Sequence, residues 1–144
     1  MSEQKWYVAY TKPKAEFQLR EAALLKEIQV YVPVDYRRAP LFPSYVFVNL
    51  KPSELHLIRY LPGFSRFVSF GEEPAVISDS QISTIKRISE FSPHARALSS
   101  RLVKGDQVRI VEGPLRGIIG TLIEDQEGPK VAMAVPQLNQ SLLV

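Results

Sequence analysis

The chain has 144 residues, 45% of them hydrophobic and 23% charged, a balance typical of soluble globular proteins and enough for one ordinary domain or two small ones. No run approaches the roughly 18 apolar residues of a membrane span, and Met1 to Lys5 lack the apolar core of a secretory signal, so a cytoplasmic protein is expected. With no cysteine and two scattered histidines, His56 and His94, neither a disulfide framework nor a Cys/His metal site can be written, and no cofactor is implied.

Trp6 to Thr11 (WYVAYT) is rich in aromatic and small apolar residues and reads as a first strand. Thr11 offers a helix N-cap and Pro13 suits a first helical turn. Phe17, Leu24, Leu25 and Ile28 then recur at helical spacing and predict an amphipathic helix over residues 13–28. Val30 to Val34 reads as a second strand, and a short basic connection, DYRRAP, joins it to LFPSYVFVNL at residues 41–50. There Val46, Val48 and Leu50 share one strand face and Tyr45, Phe47 and Asn49 the other, because successive strand residues point to opposite sides.

Pro52 opens a short helix through Tyr60, which Pro62-Gly63 ends. Arg66 to Phe70 reads as a fourth strand. Ser78 and Gln81 have capping-box spacing, and Ile82, Ile85, Ile88 and Phe91 recur every three residues as a last helix. The order β-α-β-β-α-β-α predicts an α+β class, with a two-layer sandwich on a mainly antiparallel sheet over residues 1–91. Residues 92–101 (SPHARALSSR) read as a linker. Beyond it, Val108 to Val111, Gly120 to Ile123 and Val131 to Val135, separated by turns at Gly113-Pro114 and Glu127-Gly128-Pro129, predict a small β-barrel over residues 102–144.

Catalysis has no sequence support. There is no Gly-x-Ser-x-Gly elbow, phosphate loop or His-paired nucleophile, and the adjacent carboxylates Glu72-Glu73 and Glu124-Asp125 suit solvated turns. The net charge of +3 lies wholly before residue 99, where 13 basic side chains face 10 acidic ones. Lys12, Lys14, Arg20, Arg37 and Arg38 are the candidates for a basic patch near the start of the first helix, able to contact phosphate.

GDQVRIVEGPLRGIIG, residues 105–120, resembles the KOW motif, a small barrel of transcription elongation factors and some ribosomal proteins. WYVAYTKPKAE, LFPSYVFV and GFSRFVSFG resemble, in order and spacing, three blocks of the N-terminal (NGN) domain of the NusG family, and the KOW segment follows as it does there. The resemblance covers nearly the whole chain, and the first block and short length look closer to specialised paralogues of the RfaH type. It implies a monomeric factor that binds the clamp helices of the RNA polymerase largest subunit and suppresses pausing or termination. Tyr10, Phe42, Tyr45, Phe47, Phe67 and Phe70 match the aromatic positions of that docking face.

In the specialised paralogues the region of the basic candidates touches non-template DNA, and for this chain the ribosome or a termination factor is the expected partner of the KOW module. Where the family has a longer hairpin insertion, this chain has only Arg37-Arg38-Ala39, so contacts through that insertion do not carry over. Some specialised relatives hold the C-terminal segment as a helical hairpin. Here Gly113, Pro114, Gly117, Gly120 and Pro136 oppose helices, and strands are expected. The alternative is an RNA-binding or ribosome-associated module, with an RRM-like sheet whose aromatic strand stacks bases.

Overall fold

WYVAYT becomes the strand on which the first sheet is built. The computed structural model describes residues 3–98, 105–125 and 128–144. The expected boundary at residues 101–102 and Glu127 of an expected turn lie outside them. The elements run β1 (Lys5–Thr11), α1 (Glu16–Leu25), β2 (Gln29–Tyr31), β3 (Tyr45–Leu50), α2 (His56–Arg59), β4 (Phe64–Phe67), β5 (Ser69–Phe70), β6 (Glu73–Pro74), β7 (Val76–Ile77) and α3 (Asp79–Phe91). They continue with β8 (Arg96–Leu98), β9 (Gln107–Arg109), β10 (Ile119–Asp125), β11 (Gly128–Val135) and β12 (Gln140–Leu143). Two units result, one from Met1–Pro33 with Phe42–Ile82, the other from Val34–Leu41 with Ser83–Val144. The class is α+β, with antiparallel sheets throughout.

In the first unit the sheet order is β2-β3-β1-β4, and β7 pairs with the part of β1 that β4 leaves free. Tyr7 lies opposite Val48 and Ala9 opposite Val46, so these residues share a face. That face packs with Leu19 and Ala23 of α1, Ile28, Ile58 and Phe67 in one buried cluster. Val46, Val48 and Leu50 therefore do face a core, as their alternation requires.

Helix α1 differs from the expectation in both extent and face. Lys14 adopts a left-handed φ of 60°, which delays the helix to Glu16, and no side chain caps it. Thr11, the expected cap, instead completes β1: it is buried, its amide donates to Ser44 O and its hydroxyl to Lys12 O. The inward stripe is Glu16, Leu19 and Ala23, while Leu24 and Leu25 are 50% and 87% exposed. Leu19 and Ala23 stand four apart on one helix face, and the small Ala23 lets the helix sit close to the sheet.

The loop before β4 depends on Gly63. Its φ is +90°, and a Cβ there would stand 3.0 Å from Ala15 Cβ and 3.1 Å from Ala15 O. The expected helix over residues 52–60 divides into a 3-10 turn at Pro52–Glu54 and α2, and the expected fourth strand divides at Val68 into β4 and a separate ribbon of β5 and β6. The capping box that opens α3 is present: Gln81 N–H donates to Ser78 Oγ at 3.0 Å, and Ser78 N–H donates to Gln81 Oε1 at 3.0 Å. Ile82, Ile85 and Ile88 are buried, whereas Phe91 is 49% exposed.

The second unit holds a five-stranded antiparallel sheet of order β8-β12-β11-β10-β9. Strand β8 lies within the segment expected as a linker. Arg96 to Leu98 have too little apolar content to mark a strand, and their pairing with Leu143 to Ser141 comes from β12, more than 40 residues away. Among the described residues after Gly105, the one helical turn is the 3-10 turn Pro136–Leu138, so the segment is built of strands as expected. Among the described residues no helix is long and apolar enough to cross a membrane.

Candidate functional site

The second face of the first sheet carries the aromatic row. Tyr10 lies directly opposite Tyr45 on one side and Arg66 on the other, so three neighbouring strands place Arg66, Tyr10 and Tyr45 in line. Tyr45 meets Tyr10 edge-on, with ring centroids 5.4 Å apart, and the Arg66 guanidinium stands 4.7 Å from the centre of the Tyr10 ring. Both tyrosines are half-buried and Arg66 is exposed. Further along this face Asn49 donates to Gln29 Oε1 at 2.7 Å.

The six expected docking aromatics divide. Tyr10 and Tyr45 come together at the surface. Phe47 shares their face but is 0% exposed, with Tyr31 stacked at 6.2 Å and Phe42 edge-on at 6.3 Å, and Phe42 itself is buried. Phe67 lies on the opposite face, opposite Ala9, where it joins the helix-side core against Tyr7 and Phe64. Phe70 is 52% exposed but belongs to the β5–β6 ribbon, outside this sheet. Arg66 was missed in the sequence because a single arginine in a strand carries no signal until its cross-strand neighbour is known.

The basic candidates belong to different units. In the first, Lys12 and Lys14 are exposed on the loop before α1, while Arg20 stands 4.7 Å over the Phe17 ring and pairs with Glu21 at 3.0 Å. In the second, the turn at residues 35–39 is organised by Asp35, whose Oδ1 accepts the amides of Arg37 at 2.8 Å and Ala39 at 3.1 Å. Its Oδ2 pairs with the Arg37 guanidinium at 3.3 Å. Arg38, with φ 63°, is exposed. Arg20 and Arg37 thus spend part of their charge locally, whereas Lys12, Lys14 and Arg38 have no ion pair among the described residues.

Desolvation raises the Asp35 pKa, but the amides of Ala39 and Arg37 and the Arg37 guanidinium outweigh it and hold the carboxyl below its ordinary value of 3.8. A depressed folded-state value means that the stabilisation is present above the ordinary pKa and is lost as pH falls through the folded one. The Arg37 and Ala39 amide resonances should therefore shift below pH 3.8, and Asp35→Asn should abolish that titration. Shifts with the same midpoint in the variant would refute this account.

Also in the second unit, Arg87 of α3 donates to Pro114 O at 2.8 Å and to Arg116 O at 2.6 Å, tying the glycine-flanked turn between β9 and β10 to the helix. Val111, Ile119 and Leu122 are exposed by 71%, 51% and 40%. No group of three or more His, Cys, Asp or Glu suited to a metal occurs among the described residues.

Comparison with known proteins gives a consistent result. Residues 4–86 match the family model described as NusG, transcription termination factor. A transcription termination/antitermination protein NusG from Thermus thermophilus is 30% identical over 162 aligned positions, covering 91% of this chain and 88% of that protein. Its counterpart from Rickettsia bellii is 26% identical, covering 91% and 80%. Among solved structures, one described as domain interaction in Thermotoga maritima NusG matches with a TM-score of 0.64 at 22% identity, over 99% of this chain and 93% of that one, a likeness of fold.

Proposed function

The chain belongs to the NusG family of transcription termination and antitermination proteins, and from that premise we propose that it docks on the clamp helices of the RNA polymerase largest subunit and suppresses pausing or termination. The observation that carries this reading is the pair Tyr10 and Tyr45, half-buried and in edge-on contact beside the exposed Arg66 on the second face of the sheet. Tyrosine supplies a large contact area with few rotatable bonds and is enriched among the residues that dominate binding energy. The finer assignment to a specialised paralogue of the RfaH type rests on the first motif block.

In this reading Lys12, Lys14 and Arg38, the cations without local partners, are the first candidates for contacts to the phosphates of non-template DNA, with Arg20 and Arg37 secondary. The exposed Val111, Ile119 and Leu122 are separate apolar candidates for contacts of the C-terminal module with the ribosome or a termination factor, Ile119 and Leu122 standing on opposite faces of β10. An RNA-stacking sheet is the weaker reading, because Phe47, at 0% exposure, is closed to a base.

Tyr10→Ala with Tyr45→Ala tests the docking face. Each truncation is expected to cost about 2 kcal/mol, roughly thirtyfold in affinity. Circular dichroism should change little, and pull-down of purified core polymerase should fail. A folded double variant that binds as well as the original would refute the proposal, and retention of isolated RNA without polymerase would favour the RNA-binding reading.

A further inference from the structure

We infer that Arg66 is a specificity-determining cation of this docking face and pairs with a carboxylate on the partner's helical surface. The inference rests on the docking proposal and extends it from shape to charge. Arg66 is exposed, and no ion pair or hydrogen bond holds its guanidinium within the chain among the described residues. It is nonetheless placed, 4.7 Å from the centre of the Tyr10 ring. Contact with an aromatic ring leaves N–H donors of a guanidinium available at its edge, which suits a bidentate carboxylate.

The row gives this cation a neighbourhood that favours protein over nucleic acid. Adjacent strands stand about 4.8 Å apart, so the three positions span roughly 10 Å, close to the diameter of an α-helix. Tyr10 and Tyr45 present apolar ring surface beside the charge, the combination in which Arg and Tyr carry interface energy. A helix that meets this row with apolar contacts over the tyrosines and an acidic residue at Arg66 satisfies every group in it. A lysine at this position would keep the charge and lose the fork.

The test measures binding of the full chain to purified core RNA polymerase, with and without a nucleic-acid scaffold, for the original protein and for Arg66→Lys, Arg66→Met and Arg66→Glu. Expected losses are a few-fold for Lys, about tenfold for Met and about a hundredfold for Glu, in the range for a charged interface residue. Circular dichroism should be unchanged, because Arg66 lies outside the core. Rescue of Arg66→Glu by a carboxylate-to-lysine change in the clamp helices would identify the partner group. If the original protein binds and Arg66→Glu binds within twofold of it, the inference about Arg66 is overturned while the docking face stands. If the original protein fails to bind, the docking proposal falls and this inference with it. A loss seen only with the scaffold present would replace the carboxylate by a nucleic-acid phosphate and overturn the inference as stated.

Discussion

Phe47→Ala is expected to lower the stability of the protein by about 3–5 kcal/mol, the cost of emptying a fully buried aromatic site. The ring has no solvent exposure, Tyr31 stacks against it, Phe42 meets it edge-on, and its cross-strand neighbour Val8 is equally inaccessible. Removing it leaves a cavity beside Tyr31 and Phe42. A domain with 5–15 kcal/mol in total loses a third or more of its margin. Urea denaturation should show the midpoint falling sharply, and Phe47→Leu should recover most of it. A midpoint unchanged by the alanine substitution would mean that the ring is not a core residue. A loss of polymerase binding in Phe47→Ala would therefore report unfolding, whereas Tyr10 and Tyr45, which are only half-buried, test the surface itself.

Gly120→Val should be comparably severe in the C-terminal sheet. A Cβ at Gly120 would lie 2.5 Å from Ala132 O and 2.7 Å from Val131 Cγ1, both on the paired strand β11. The nearer atom is backbone, so relief requires moving one strand against the other and breaking the register in which Thr121 faces Ala132. Overpacking of this kind costs about 3 kcal/mol or more when the neighbour cannot give way. Amide exchange in β10 and β11 should accelerate by two orders of magnitude or more, about 1.4 kcal/mol per factor of ten. Gly113→Ala is the control: its Cβ would meet nothing within 4 Å, and only the left-handed φ of +83° opposes it, at about 1–2 kcal/mol. Equal effects of the two substitutions would show that strand proximity is not what requires glycine at position 120.

The features legible in the sequence by itself are those set by the backbone over a few residues. Alternation in YVFVNL separates Val46, Val48 and Leu50 from Tyr45, Phe47 and Asn49, since pleating alone sends neighbours to opposite faces. Ser78 and Gln81 announce the start of α3 because both capping bonds close within four residues. Gly113, Pro114, Gly117, Gly120 and Pro136 oppose helices and favour strands as the outcome. Tertiary structure decided the rest. Tyr45 and Phe47 share one strand face, yet one is half-buried and the other fully buried, because Tyr31 from the paired strand β2 and the Phe42 ring both lie against Phe47. Leu25 matches a helical stripe and is 87% exposed, while Ala23 is buried, because the sheet selects the face that approaches closest. Arg66 acquires meaning only when strand pairing sets it beside Tyr10, 56 positions earlier. Periodicity is a property of local geometry, but solvent exposure is a sum over neighbours from distant segments, and only the folded register brings those neighbours together.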